Sequence, residues 1–174
     1  MRVRVHKLGL AHQDATRLQQ LDDRLIGFEH RLANIASTPR PSPKPKVYFE
    51  EWDDPLISGI GWVSELIEIA GGEDVLPILR FQQAAKDRII SADTVRDTAP
   101  DVILASWCGK KVVPDRIRQR PGWSDIPAVR NNRIVEIKSP LILQPGPAAL
   151  TDGLDAIVKA LWGGAGLNSP SPLL

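Results

Sequence analysis

The sequence predicts an α/β fold, a three-layer lobe with a mainly parallel sheet that follows one long connector helix. Short apolar segments typical of strands alternate with segments of helical periodicity, and this order favours βαβ units. The segment 102–105, Val-Ile-Leu-Ala, is continuously apolar, as are strands that are buried on both faces of a parallel sheet. A chain of 174 residues is long enough for one such domain with its own core.

The first predicted element is a helix over residues 12–36, preceded by an unassigned segment at 1–11. Its apolar residues are spaced alternately by three and four, which indicates one stripe that we expect to be buried: Leu18, Leu21, Leu25, Phe28, Leu32 and Ile35. Four prolines in residues 37–46 exclude a helix there and favour a stiff, extended linker. The main domain is therefore expected at 47–162.

This domain is expected to begin with a strand at 47–51. Ser58 is a plausible N-cap for the next helix, which Gly71 and Gly72 end. The later predicted elements are a helix that Ser91 caps and Pro100 stops, the strand at 102–105, a short helix at 114–120, a strand at 133–138, a helix that begins near Pro147, and a flexible tail at 163–174.

Composition argues against several kinds of site. The 22 basic and 21 acidic residues give a net charge of +1, which argues against a nucleic-acid partner. A single cysteine, Cys108, excludes an internal disulfide and a site built from several thiolates. All three histidines precede residue 31, away from the acidic clusters, so no metal site is predicted.

No apolar run approaches the roughly 18 residues that a membrane-spanning helix needs. The first residues also lack the apolar stretch of a secretory signal, so the chain as written is expected to stay in the cytoplasm.

Four acidic residues, Glu50, Glu51, Asp53 and Asp54, lie where a strand leads into a helix, and ligands bind at the carboxyl ends of strands in open α/β sheets. Such acids could perform acid-base chemistry if burial separated their pKa values. Successive side chains of a strand face opposite ways, which argues against one shared pocket. In the alternative interpretation, Asp53 and Asp54 stabilise the N-terminus of the helix by interacting with its dipole, and Glu50 is solvated.

Trp52 and Trp107 each stand at the end of a predicted strand. Two tryptophans at one edge of a sheet suggest a wall for a large, flat ligand, and the alternative is that either ring covers the core. Trp62 and Trp123 are expected to pack in the core or at its edge. Gly109-Lys110-Lys111 is interpreted as a solvated turn after a strand. Ser-His-Asp catalysis is disfavoured because no histidine follows His30.

Five segments carry a family resemblance: YFEEWDDPLISG at 48–59, WVSELIEIAGGED at 62–74, ASWCGKK at 105–111, RPGW at 120–123 and IKSPLILQPGP at 137–147. Together they resemble the C-terminal half of the cobalamin-binding, iron-siderophore-type periplasmic binding proteins, the substrate-binding subunits of ABC importers. The similarity covers about residues 46–162. In that family two α/β lobes close on a ligand about a rigid connector, which the helix at 12–36 resembles. The N-terminal lobe is missing from this sequence.

The resemblance implies the substrate-binding component of an importer for cobalamin or a related corrinoid, with haem or a ferric siderophore as the alternative ligand. It implies no catalysis, no cofactor and a periplasmic or other extracytoplasmic location. Glu51, Trp52, Trp107 and Gln144 would face the ligand, the tryptophans against the corrin and the polar groups against its amides. Asp93 would dock on an arginine of the permease.

Three further interpretations stay open. The chain could be a hydrolase that uses the acidic cluster at Glu50–Asp54. It could be an interaction domain outside transport that presents the cleft wall to a partner. A homodimer through this exposed cleft face is also expected, since an uncovered wall would be apolar.

Overall fold

The structure is a computed structural model that describes residues 2–163, with side chains described from Ala15 onward. The chain divides into two units, Met1–Thr38 and Pro39–Leu174. The first unit is a single helix, α1 (Arg2–Ser37), which contains the helix predicted at 12–36. Residues 164–174, where most of the tail is predicted, lie outside the described residues.

The apolar stripe of α1 is not buried along its whole length, so this prediction is wrong in part. Leu18, Leu21 and Leu25 are 62%, 54% and 59% exposed, whereas Phe28 and Leu32 are half-buried. A unit that consists of one helix has no second element to cover the stripe. Periodicity indicates which face is apolar and does not indicate what packs against it.

The second unit is an α/β domain. Its strands are β1 (Lys46–Asp53), β2 (Leu56–Ser58), β3 (Glu73–Asp74), β4 (Val102–Ala105) and β5 (Ile134–Glu136). Its helices are α2 (Gly61–Ile69), α3 (Ala92–Thr98), α4 (Pro114–Arg118), α5 (Pro127–Arg130), α6 (Ser139–Ile142) and α7 (Leu154–Trp162). Single turns of 3-10 helix at Pro77–Phe81 and Ala85–Arg88, and a π-helical turn at Ala149–Gly153, complete it.

The sheet is mainly parallel, as predicted. Its order is β2-β1-β4-β5, and the short β3 pairs in parallel with the start of β1. In register, Tyr48 lies opposite Ile103 and Glu50 opposite Ala105. Among the strands of the described residues, β2 alone runs antiparallel, because β1 turns back on itself into this short strand. The carboxyl ends of β1, β4 and β5 therefore meet at one edge of the sheet.

Helices cover both faces of the sheet, which gives the three predicted layers. On one face Val47 of β1, Ile67 of α2 and Leu161 of α7 meet around Gly72, where an added Cβ would lie 2.9 Å from Val47 Cγ2. The core on the other face draws on β1, β4, α3, α4 and α5 and includes Tyr48, Ile103, Val95, Ile117 and Ala128. Alternation of side chains along the strands divides the apolar residues between these two layers.

Ser58 is not an N-cap, so that prediction is wrong. The residue ends β2, and its hydroxyl lies 3.4 Å from the carbonyl oxygen of Arg88, to which it donates. Helix α2 begins at Gly61 after Ile60, without a side-chain cap. The prediction for Ser91 is confirmed, because its Oγ accepts a hydrogen bond from Thr94 N at 3.0 Å.

Candidate functional site at the carboxyl edge of the sheet

A fully buried carboxylate lies at the end of β1. Glu50 accepts hydrogen bonds from Arg120 Nη1 at 2.5 Å and Nη2 at 2.9 Å, and from Trp107 Nε1 at 2.9 Å. Burial of an ion pair requires such multiple partners, since an unpaired charge would be very costly there. Glu50 faces the core beside Tyr48, and the interpretation of Glu50 as solvated is wrong.

Trp107 is also fully buried, and its indole belongs to the core cluster that contains Tyr48 and Trp123. The expectation that this ring stands exposed on a cleft wall is therefore wrong. The strand end turns Trp107 inward, where Glu50 accepts its N–H. Of the two tryptophans at this edge, Trp52 is the half-buried one, and its Nε1 donates to the carbonyl oxygen of Asp54 at 2.9 Å.

Two cations cover the tryptophans. Lys110 Nζ lies 4.8 Å from the ring centroid of Trp52 and 5.2 Å from that of Trp107. The guanidinium carbon of Arg116 lies 5.8 Å from the Trp107 centroid. Both cations are within cation–π range of the indole faces. We call Trp52, Asp53, Trp107, Lys110 and Arg116 the Lys110 cluster.

Asp53 holds these cations in place. Its side chain is only 4% exposed, and its carboxylate accepts from Lys110 Nζ at 2.8 Å and 3.0 Å. Arg116 Nη1 lies 3.2 Å from Asp53 Oδ2. The side chains of Lys110 and Arg116 stay 41% and 57% exposed. The cluster thus has two partly exposed cations that both pair with one buried carboxylate.

The remaining acids of the predicted cluster face other partners. Glu51 accepts from Arg88 Nη1 at 2.6 Å and from Nη2 at 3.1 Å, and Arg88 also donates to the carbonyl oxygen of Ser58. Asp54 is exposed in the turn between β1 and β2. Glu50, Glu51 and Asp53 are thus each neutralised by a different basic partner, which does not favour one shared acid-base pocket.

Gln144 and Asp93 make no hydrogen bond or ion pair with the Lys110 cluster among residues 15–163. Gln144 is exposed in the loop after α6, and within residues 15–163 no hydrogen bond joins it to the Lys110 cluster. Asp93 lies in the first turn of α3 with its side chain 72% exposed, and Arg96 Nη1 is 2.7 Å from its Oδ1. The predicted outward position of Asp93 at the start of this helix is confirmed.

Two pKa shifts mark the electrostatics of this edge. Burial raises the pKa of Tyr48 well above its usual value, and the negative charge of Glu50 adds to the shift. A hydrogen bond from Lys138, whose Nζ lies 2.8 Å from Oε2, lowers the pKa of Glu136. In the described part of the chain, no group of three or more His, Cys, Asp or Glu is placed to hold a metal ion.

The basic half of this site is not predicted from the sequence. The sequence places Lys110 in a predicted solvated turn, and it indicates no role for Arg88, Arg116 or Arg120. Lys110 and its partner Asp53 are 57 positions apart in sequence, and Arg120 and Glu50 are 70 apart. Local patterns carry no information on such pairs. The only available sign was that Lys110 and Arg120 fall inside segments that resemble the family.

The sequence model of the family described as "Periplasmic binding protein" matches residues 4–141. The chain is 26% identical over 165 residues to the High-affinity heme uptake system protein IsdE of Staphylococcus aureus, with 90% of this chain and 52% of that protein covered. The chain therefore spans about half the length of the curated relatives it matches.

Two solved structures are similar in fold. One is the periplasmic heme-binding protein RhuT from Roseiflexus sp. RS-1 in apo form, with a TM-score of 0.59, 26% identity, and coverage of 82% of this chain and 57% of that one. The other is the periplasmic vitamin B12 binding protein BtuF of Vibrio cholerae, with a TM-score of 0.55, 19% identity, and coverage of 82% and 51%. Among the described residues, no helix is both long and apolar enough to cross a membrane.

Proposed function

Because the chain belongs to the periplasmic binding protein family, we propose that it forms one lobe, with a connector helix, of the substrate-binding component of an ABC importer. The observation that carries the proposal is the Lys110 cluster. It sets a half-buried indole and two exposed cations at the carboxyl edge of the sheet, where ligands bind in open α/β folds. An extracytoplasmic location is part of the proposal, since the family is periplasmic.

The proposed ligand is a metal chelate, and a tetrapyrrole is the favoured kind. Haem is the first candidate, because the two relatives at 26% identity, IsdE and RhuT, are both described by the haem they take up or bind. Cobalamin or a related corrinoid, which the sequence resemblance implies, is the second candidate, and a ferric siderophore is the third. Trp52 would contact the flat face of the ligand, as expected from the sequence, while Glu51 and Gln144 stay proposed polar contacts.

This unit offers the metal little coordination of its own. No histidine or methionine follows residue 39, and the single tyrosine, Tyr48, is fully buried. The exposed thiol of Cys108 is the one soft ligand near this edge. Apart from that thiol, recognition by this unit would depend on contact with the ring and its edge. A single wall buries about half of the ligand surface, so we expect a Kd weaker than about 1 μM, or about −8 kcal/mol.

The test is to titrate the chain with haemin and with cyanocobalamin. Cys108 is the only cysteine and is exposed next to Trp107, so the rate of its modification by a maleimide reports whether ligand covers this edge. We expect haemin to slow the modification, and Trp52→Ala to weaken binding roughly two- to tenfold through the lost ring contact.

Trp62→Phe is the matched control, since Trp62 Nε1 donates to the carbonyl oxygen of Ile142 and, among residues 15–163, Trp62 makes no hydrogen bond with the Lys110 cluster. Saturable binding that leaves Cys108 equally reactive would contradict the proposed position. An equal effect of the two tryptophan variants would contradict the proposed role of Trp52.

Docking on a permease is proposed for Asp93. Its exposed carboxylate could accept a bidentate hydrogen bond from an arginine of the partner. Asp97 is the matched control, because it lies on the same helix, is 71% exposed and also contacts Arg96. We expect Asp93→Asn to slow association with a cognate permease at low salt and to reduce its salt dependence. An equal effect of Asp97→Asn would exclude a specific role for Asp93.

The hydrolase interpretation is disfavoured by the contacts of its acids. Both oxygens of Asp53 accept from Lys110, and Arg116 adds a further contact to Oδ2. The family and the relatives found are solute-binding proteins. We expect no turnover of generic esters or phosphates. Turnover that Asp53→Asn or Asp54→Asn abolishes would reverse this conclusion.

A further inference from the structure

We propose that Lys110 and Arg116 form a subsite for an anionic oxygen group, a carboxylate in the first place, at the edge of the ligand. The inference rests on the proposed function and specifies the ligand class for the same site. The cations outnumber the carboxylates in the Lys110 cluster. Two cations contact one carboxylate, that of Asp53, so these three side chains together keep one net positive charge.

The donors are only partly used. An ammonium group has three N–H donors, and Lys110 directs at most two of them to the oxygens of Asp53. A guanidinium has five, and Arg116 makes one contact with Asp53. Because the side chain of Arg116 is 57% exposed, its planar fork can accept a carboxylate in the bidentate geometry that arginine favours.

The position of the Lys110 ammonium group is restrained by its neighbours. Its ammonium nitrogen lies 4.8 Å from the ring centroid of Trp52 and 5.2 Å from that of Trp107, and it donates to Asp53 Oδ1 at 2.8 Å. A lysine so held loses less conformational entropy on binding than a free surface lysine. Asp53 itself would repel an anion, but its side chain is only 4% exposed. A ligand therefore meets the two cations first.

The consequence is a preference within tetrapyrroles. Haem carries two free carboxylates on its periphery, whereas the peripheral groups of cobalamin are mainly neutral amides. Lys110 also covers part of the Trp52 face, so a ligand that relies on aromatic stacking alone finds less free ring surface. The cluster is thus suited to a flat chelate with acidic substituents.

The experiment compares haemin with haemin dimethyl ester, which keeps the ring and the metal and lacks the carboxylates. Cys108 protection gives the Kd of each for the wild-type chain, for Lys110→Met, for Arg116→Gln and for the double variant. We expect the wild-type chain to bind the free acid about tenfold more tightly than the ester. In the double variant the two constants should agree within about twofold.

Lys111→Met is the matched control, since it removes the same charge from the next, exposed residue and should leave the preference intact. Lys110→Arg should keep most of it. Near-ultraviolet circular dichroism checks that Trp107 stays packed in each variant.

Equal affinity of acid and ester in the wild-type chain overturns the subsite and leaves the proposed function standing. A preference that survives in the double variant, or that Lys111→Met also removes, overturns the subsite as well. Absence of saturable binding of either porphyrin overturns the subsite and also removes haem as the first candidate ligand of the proposed function.

Discussion

Arg120 binds the fully buried carboxylate of Glu50 through two hydrogen bonds, with Nη1 2.5 Å from Oε2 and Nη2 2.9 Å from Oε1. The same guanidinium lies over the indole of Trp123, with its carbon 4.6 Å from the ring centroid. One arginine thus joins the end of β1 to the segment after α4, and Glu50 also accepts a hydrogen bond from Trp107 of the Lys110 cluster. We expect this pair to be the most costly polar contact to break.

Arg120→Met should lower the free energy of unfolding by about 3–5 kcal/mol, because it leaves the buried Glu50 charge without its main partner. Urea denaturation measures the change. Asp115→Asn is the control, since it removes an ion pair with Arg118 whose acid is 70% exposed, and it should cost less than about 1 kcal/mol. A similar small cost for Arg120→Met would show that Glu50 finds another partner.

Tyr48 should give the fold a marked sensitivity to alkaline pH. In the folded chain its pKa is raised by burial and by Glu50, while the unfolded value is about 10. Both states are neutral below the unfolded pKa, so the stabilisation is complete there. As the pH rises from the unfolded pKa towards the folded one, only the unfolded chain loses the proton, and stability falls by about 1.4 kcal/mol per pH unit.

Tyr48 is the only tyrosine, so the near-ultraviolet absorbance of tyrosinate reports its titration directly. We expect this absorbance to rise only with unfolding, and we expect Tyr48→Phe to reduce the alkaline loss of stability. Titration of Tyr48 with an ordinary pKa in a chain that stays folded would contradict the prediction.

Gly61→Ala should destabilise the domain by roughly 1–3 kcal/mol through overpacking. A Cβ at this first residue of α2 would lie 2.6 Å from the carbonyl oxygen of Arg80, so backbone has to move. Gly146→Ala is the control, because an added Cβ there meets nothing within 4 Å. Thermal unfolding compares the two. Equal midpoints for both variants would show that the Arg80 segment yields freely.

The chain should self-associate through the exposed part of the α1 stripe. Leu18, Leu21 and Leu25 are each more than half exposed, and contiguous apolar side chains of this kind favour association. The surface expected from the sequence for a homodimer is thereby changed, since Trp107 is buried and cannot contribute. Light scattering should report a species larger than a monomer at high concentration, and Leu21→Lys with Leu25→Lys should reduce it.

Ile78→Lys tests the specificity of that prediction, because Ile78 is 75% exposed in the second unit and does not belong to the stripe. A clean monomer for the unsubstituted chain, or equal dissociation by Ile78→Lys, would count against association through α1.

Much of the fold follows from the sequence because local patterns specify it. The continuous apolar run at 102–105 is a buried parallel strand, and Ser91 caps α3 as its position predicts. The hairpin of β1 and β2 is missed because β2 has only three residues and pairs across a bulge. Serine is a good N-capping residue, but Ser58 pairs with β1 as part of β2. Tertiary context outweighs local preference here.

The sequence by itself determines the α/β class, the mainly parallel character of the sheet and the family, since the alternation of strands and helices and the short motifs are local properties of the chain. The tertiary structure alone decides which acidic residues are buried, which tryptophan is half-exposed and which cations cover it. Asp53 and Lys110 are 57 positions apart and meet only because β1 and β4 are neighbours in the sheet. Residue type fixes the charge of a side chain, whereas its partners and its contact with solvent depend on packing across the whole domain.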